Sequence, residues 1–231
     1  MRKLGLIGGM SWVSTRTYYE HINRTVQARA GALSSAPLLI ESLDFAQLAG
    51  LSSAQDWDRA AGILSESAQR LEQAGAGALV IGANSMHKVY DRVAAAVSVP
   101  ILHIADCVGA RMKADGVKTA ALIGTRNVMT ESFYRERLVA HGVDLLPPDM
   151  GNVEALDRII YEELMRGKVT RSAQRTLKTI ITVKEQERAQ AIVLACTELE
   201  MVVDVDANVL PIYDCTQIHA RSAAEWILGE D

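Results

Sequence analysis

A chain of 231 residues, 49% of them apolar and 23% charged, suits one large α/β unit or two compact lobes, and can bury a core without disulfides or metals. Its formal net charge of −4 excludes a nucleic-acid binder that works mainly by neutralising phosphates. No apolar run approaches the roughly 20 residues of a membrane helix, and the start lacks the long apolar stretch of a secretory signal. The three cysteines, Cys107, Cys196 and Cys215, are an odd number without CxxC spacing, which argues against a disulfide scaffold or a zinc ribbon. A cytoplasmic enzyme in a reducing compartment is the expectation, with neither nucleic acid nor membrane as a partner.

Taken in chain order, the first element is a short buried strand at Leu4–Ile7, running into the turn Gly8-Gly9. Pro37–Ser42 reads as a second strand, and Asp56–Ala74 as a helix with Ala60, Leu64, Ala68 and Leu71 on one stripe. Strands come next at Ala78–Ile81, Ile101–Ile104 and Thr119–Ile123. Helices at Ser132–His141, with Gly142 as its stop, and Ala173–Glu187 lead to a strand at Ala191–Ala195. The strands are nearly continuously apolar, as in a parallel sheet covered on both faces. This alternation predicts βαβ units and an α/β fold.

The layout occurs twice. Leu6-Ile7-Gly8-Gly9 with Tyr18 matches Leu122-Ile123-Gly124-Thr125 with Tyr134 at an offset of 116. Ala76–Ser85 matches Ala189–Glu198 at an offset of 113, and Pro100-Ile101 matches Pro211-Ile212 at an offset of 111. Three matches in one order predict two lobes: residues 1–97 with 212–231, and residues 98–211. No Pro/Gly/Ser-rich linker separates them, so a cleft between closely packed lobes is the expected site.

Reactive groups in parallel α/β lobes belong at the carboxyl ends of strands. The matched turns there are Gly82-Ala83-Asn84-Ser85-Met86-His87 and Ala195-Cys196-Thr197-Glu198. A carboxylate held by Asn84, Ser85 and Thr197 is a reasonable ligand, and Cys196 just before a helix is placed for a lowered thiol pKa. The plainer alternative is that Cys196 fills a core and the polar residues cap helices. Gly8-Gly9-Met10-Ser11 and Gly124-Thr125-Arg126 form two further turns, where Ser11 or Thr125 can donate hydrogen bonds. Neither a GxGxxG fingerprint, nor a GxxxxGK[ST] loop, nor a GxSxG elbow is present. His87 can reach the site or pack on its helix, while His103 and His219 read as core residues. No histidines pair at metal-ligand spacing, so no metal is expected. Cys107 and Cys215 are expected to pack. Lys168, following a glycine, can project toward a ligand.

Five motifs together resemble the cofactor-independent aspartate/glutamate racemase superfamily, in its bacterial amino-acid racemase branch. They are Gly8-Gly9-Met10-Ser11-Trp12-Val13-Ser14-Thr15, Asn84-Ser85-Met86-His87-Lys88, His103-Ile104-Ala105-Asp106, Gly124-Thr125-Arg126 and Cys196-Thr197-Glu198. The resemblance spans nearly the whole chain. It implies two Rossmann-like lobes related by a pseudo-twofold axis, a homodimer, and racemisation of a small amino acid without pyridoxal phosphate, metal or other cofactor. It also implies Met10, Asn84, Ser85, Thr125, Thr197, Glu198 and Lys168 as substrate-binding positions.

The family mechanism uses one cysteine from each lobe, on opposite faces of the substrate α-carbon. Cys196 matches the second-lobe cysteine, but the first-lobe position is Ala83, which can neither remove nor deliver a proton. The usual threonine after the asparagine is Ser85, which keeps the hydroxyl. Glu41–Gln47, where aspartate-specific members carry an arginine, has none, leaving Lys168 as the candidate cation. Three readings result. The first is a racemase or epimerase in which Cys196 works with a water held by Ser85 or His87. The second is a one-base enzyme similar to the arylmalonate decarboxylases, and the third is a weakly catalytic carboxylate-binding relative.

Overall fold

The computed structural model describes residues 1–204 and 208–229. The chain forms two compact units: Met1–Ile104 with the C-terminal segment from His219, and Ala105–Ile218. Strand β1 (Leu4–Gly8) is followed by α1 (Trp12–Ala30), β2 (Leu38–Ser42), α2 (Ala54–Gln73), β3 (Ala78–Ile81), α3 (Tyr90–Ala94) and β4 (Ile101–Leu102). Helix α4 (Ile104–Ala114) leads into β5 (Thr119–Gly124), α5 (Arg126–Thr130), α6 (Ser132–Ala140), β6 (Asp144–Leu145), α7 (Val153–Arg158) and α8 (Arg171–Gln186). Then come β7 (Ala191–Ala195), β8 (Ile212–Asp214) and α9 (Cys215–Leu228).

Each unit holds one four-stranded parallel sheet, in the orders β2-β1-β3-β4 and β6-β5-β7-β8. The same order recurs with β1, β2, β3 and β4 replaced by β5, β6, β7 and β8, as the internal sequence match predicts. The sheet order corrects the expected boundaries. Residue 98 lies before β4 and residue 212 opens β8, yet β4 pairs with β3, and β8 with β7. Each sheet therefore keeps its last strand, and the chain changes unit only after it, at Ile104–Ala105 and Ile218–His219.

Alternation along the strands buries both faces of the first sheet. Leu4, Leu6, Ala78 and Val80 pack with Tyr18, Ile22 and Val26 of α1 and with Ala220, Ala223, Ala224 and Ile227 of α9. Ile7, Leu79 and Ile81 face Ala60, Leu64 and Ala68 of α2 on the other side. Helix α2 starts where a capping box forms, the Ser53 hydroxyl accepting from Asp56 N–H while the Asp56 carboxylate accepts from Ser53 N–H. In the second unit, Leu177, Ile180 and Ile181 of α8 join Ile192 and Leu194 of β7 in one core. Among the described residues, no helix is long and apolar enough to cross a membrane.

Four elements depart from the sequence reading or went unread in it. Helix α1 shows no clear apolar stripe, since Ser14 and Thr17 share its buried face with Val13, Tyr18, Ile22 and Val26. The edge strand β6 is only two residues long and β8 only three, too short for a periodic signal. The strand expected at Ile101–Ile104 stops at Leu102, and Ile104 opens α4.

Candidate functional site

The second unit carries the reactive group. Strands β5 and β7 run parallel in register, Gly124 opposite Ala195, so the next residues, Thr125 and Cys196, leave neighbouring strand ends. Gly124 is required there, because a Cβ would lie 2.6 Å from the Ala195 carbonyl oxygen. Cys196 is 6% exposed, and its thiol donates to Glu198 Oε2 at 3.3 Å. The Thr197 hydroxyl donates to the same oxygen at 2.7 Å. One buried carboxyl oxygen thus gathers both groups, and Thr197 orients Glu198.

The thiol is not acidified, contrary to the sequence expectation. Burial pushes the Cys196 pKa well up, and the Glu198 carboxylate pushes it further, while backbone N–H groups of Glu198 and Leu199 oppose them weakly. The physical reason lies in the helix that was to lower it. After Cys196 comes a single 3₁₀ turn, Leu199–Met201, too short to supply a useful dipole against loss of water. Cys196 therefore rests as a thiol, poised to give a proton.

Thr125 is 5% exposed, and its hydroxyl is buried with no hydrogen-bond partner among the described residues. An unsatisfied buried hydroxyl costs about 1–3 kcal/mol, so a ligand atom is its natural partner. Arg126 is fixed beside it: its backbone N–H donates to Asp157 Oδ1 at 3.0 Å and its Nε to Oδ2 at 3.1 Å. Tyr161 lies in a π-helical turn, Ile159–Glu163. It is 44% exposed, and partial desolvation, then the charges of Cys196, Asp157 and Glu198, push its phenol pKa upward. Arg126, Asp157 and Tyr161 were not picked out by sequence reasoning. Arg126 was legible as the residue after Thr125, whereas Asp157 and Tyr161 come from a segment with no motif. Lys168 is exposed, in the turn after Gly167, and its backbone N–H donates to Glu163.

The first unit has the equivalent turns without a thiol. Gly9 has φ +85°, and a Cβ there would meet the Leu43 carbonyl oxygen at 2.1 Å, so this turn needs glycine. Its N–H donates to Thr15 Oγ1 at 2.7 Å. Ser11 caps α1, its hydroxyl accepting from Ser14 N–H. Met10 and Ala83 both pack in the core with Ile81 and Met86. Asn84 is buried, its carbonyl accepting from His87 N–H at 3.2 Å, and Ser85 is half-buried.

His87, His103 and His219 form one buried group in this unit. The His87 ring lies 4.4 Å from that of His103 and 5.9 Å from that of His219, between centroids. His219 Nε2 donates to the Leu102 carbonyl at 3.0 Å, which leaves Nδ1 to accept from the Tyr18 hydroxyl at 2.7 Å. Burial lowers the His219 pKa to about 4. In the second unit Tyr134 donates to Cys215 Sγ at 3.0 Å, which places that cysteine in a packing role. Among the described residues, no group of three or more His, Cys, Asp or Glu side chains could hold a metal ion.

Known proteins share this fold. A candidate Asp/Glu racemase from Yersinia pestis is 41% identical, with a TM-score of 0.90 over 99% of this chain and 100% of that one. An aspartate racemase homologue from Pyrococcus horikoshii OT3 is 30% identical, with a TM-score of 0.85 over 99% of this chain and 100% of the other. The broad specificity amino-acid racemase RacX of Bacillus subtilis (strain 168) is 25% identical over 176 residues, 75% of each chain. The family model for Asp/Glu/Hydantoin racemase matches residues 7–223. The chain thus belongs to the Asp/Glu/Hydantoin racemase family.

Proposed function

We propose that the protein is a cofactor-independent amino-acid racemase or epimerase in which Cys196 transfers the substrate α-proton. The observation that carries this reading is the buried Cys196 thiol on Glu198 Oε2, beside the unpartnered Thr125 hydroxyl, in a chain of a racemase family. The α-hydrogen of an amino acid is a very weak acid, so catalysis needs a positioned base and donors for the charge that builds on the carboxylate. When the thiol gives its proton to Glu198, the resulting thiolate can take the α-proton. In the reverse sense, the resting thiol delivers a proton to the α-carbanion, and the thiolate left behind is reprotonated by a proton taken up from water. Thr125 supplies a hydrogen bond to the carboxylate.

Ala83, the topological counterpart of Cys196, bears no transferable proton. The second proton transfer is assigned to a water molecule at Ser85, whose hydroxyl makes no hydrogen bond to the described protein residues and is half-buried. The high thiol pKa also favours a second reading, in which Cys196 only protonates an enolate-like intermediate, as a one-base decarboxylase or isomerase would.

Single enantiomers of many amino acids in D₂O, followed by optical rotation and α-deuterium NMR, separate these readings. Exchange with inversion supports the racemase, and exchange with retention supports one-base chemistry. Loss of at least about a hundredfold in Cys196→Ala is expected; a fully active variant overturns the assignment of the acid/base group. No exchange with any amino acid overturns the racemase reading, and CO₂ release from malonates then supports the decarboxylase.

A further inference from the structure

Helix α5 lacks the cap its sequence provides for. Thr125 stands at its N-cap with extended backbone, and its carbonyl accepts the first helical bond, from Met129 N–H at 3.0 Å. A threonine there ordinarily turns its hydroxyl back over the first turn to accept from the second or third N–H. Here the hydroxyl makes no such bond; it is buried, in a residue 5% exposed, with no partner among the described residues. The end of α5 is covered from outside the helix. Asp157 Oδ1 accepts from the Arg126 N–H at 3.0 Å, and Oδ2 accepts from Arg126 Nε at 3.1 Å. Both carboxylate oxygens are directed at one residue, the first of α5.

Asp157 is carried by a fixed element. It lies in α7, whose Val153 and Leu156 are buried in the same core as Ile123 of β5, the strand that leads into Thr125. A carboxylate held at the open end of a helix satisfies one of its unpaired N–H groups, and its charge suits that end. It also repels the lone pairs of a second oxygen brought to the same place, which disfavours the Thr125 hydroxyl as a cap. We propose that Asp157 is a positioning residue: by capping α5 from α7 it keeps the Thr125 hydroxyl off its own helix and available to the substrate carboxylate. The ligand is indicated by that buried, unpartnered hydroxyl and not by the short helix, whose first N–H is already taken. Only the identity of the ligand rests on the racemase reading.

A double-mutant cycle tests this, reading KM and kcat separately with whichever amino acid the wild type turns over. Asp157→Ala is expected to raise KM about tenfold, with kcat within about threefold of the wild type, as the Thr125 hydroxyl swings onto α5. In a Thr125→Val background the same substitution is expected to change KM less than about twofold, because the group it acts through is gone. An unchanged KM in Asp157→Ala overturns the proposal, and so does an effect equally large with and without the Thr125 hydroxyl. Crystal structures decide independently of turnover. The Thr125 hydroxyl should be clear of the Asn127 and Val128 N–H groups in the wild type and bonded to one of them in Asp157→Ala. Capping in the wild type, or none in the variant, overturns the proposal. If Asp157→Ala does not fold, Asp157→Ser takes its place in both arms. A wild type that turns over no amino acid counts against the racemase reading, and the two structures still decide the role of Asp157.

Discussion

Acidification should weaken the first unit through one buried imidazole, and the size of the effect can be worked from the structure. His219 is fully buried, donates to Leu102 and accepts from Tyr18, an arrangement that suits only the neutral ring. Its pKa falls from 6.5 to about 4 on folding. Between those values the unfolded chain binds a proton that the folded chain refuses, so stability is present above the unfolded value and is lost as pH falls from 6.5 toward about 4. A difference of this size corresponds to roughly 3 kcal/mol at the acid limit, most of which is lost by about pH 4.5. His219→Gln keeps a donor for Leu102 and an acceptor for Tyr18 but cannot take up the proton. Urea unfolding at about pH 7.5 and pH 4.5 should show the wild type losing about 2–3 kcal/mol more than the variant. Equal losses in the two proteins would refute the assignment of a neutral, unprotonated His219 to the folded state.

Two further outcomes concern the second unit. Thr125→Val removes a hydroxyl with no partner among the described residues, so the melting temperature should hold or rise while KM for the substrate increases about tenfold or more. A fall in stability with unchanged KM would show that the hydroxyl is structural. In Glu198→Gln the thiolate absorbance of Cys196, read against a Cys196→Ala background, should appear at lower pH than in the wild type. An unchanged onset would mean that the Glu198 charge contributes nothing to the thiol.

The site was legible in the sequence to the extent that it is local. Cys196, Thr197 and Glu198 are consecutive, and strand-to-turn logic locates them at a carboxyl strand end without knowledge of the neighbours. Arg126, Asp157 and Tyr161 were not legible as a group, because Asp157 and Tyr161 come from a segment about 40 residues before Cys196, with no motif of its own. The sign of the thiol's pKa change was also hidden. It depends on how much water the fold removes from Cys196 and on which way Glu198 turns, and neither is a property of spacing. His87 shows the same limit: its position in the motif is plain in the sequence, but its hydrogen bonding depends on Ile104, 17 residues further along.

The sequence alone determined that this is an α/β chain of two similar halves with one thiol at a matched turn, because hydrophobic periodicity and strand-end placement are local consequences of burial. It also revealed the departure that most distinguishes the protein, alanine at residue 83 where the resemblance expects a second cysteine. The tertiary structure decided where the chain changes unit, since β4 and β8 stay with the sheets they pair with and those pairings are non-local. It decided as well that the Cys196 thiol is buried against Glu198 and that the His87 ring bridges Ala83 and Ile104. Both depend on hydrogen bonds and desolvation, which exist only once distant segments have packed.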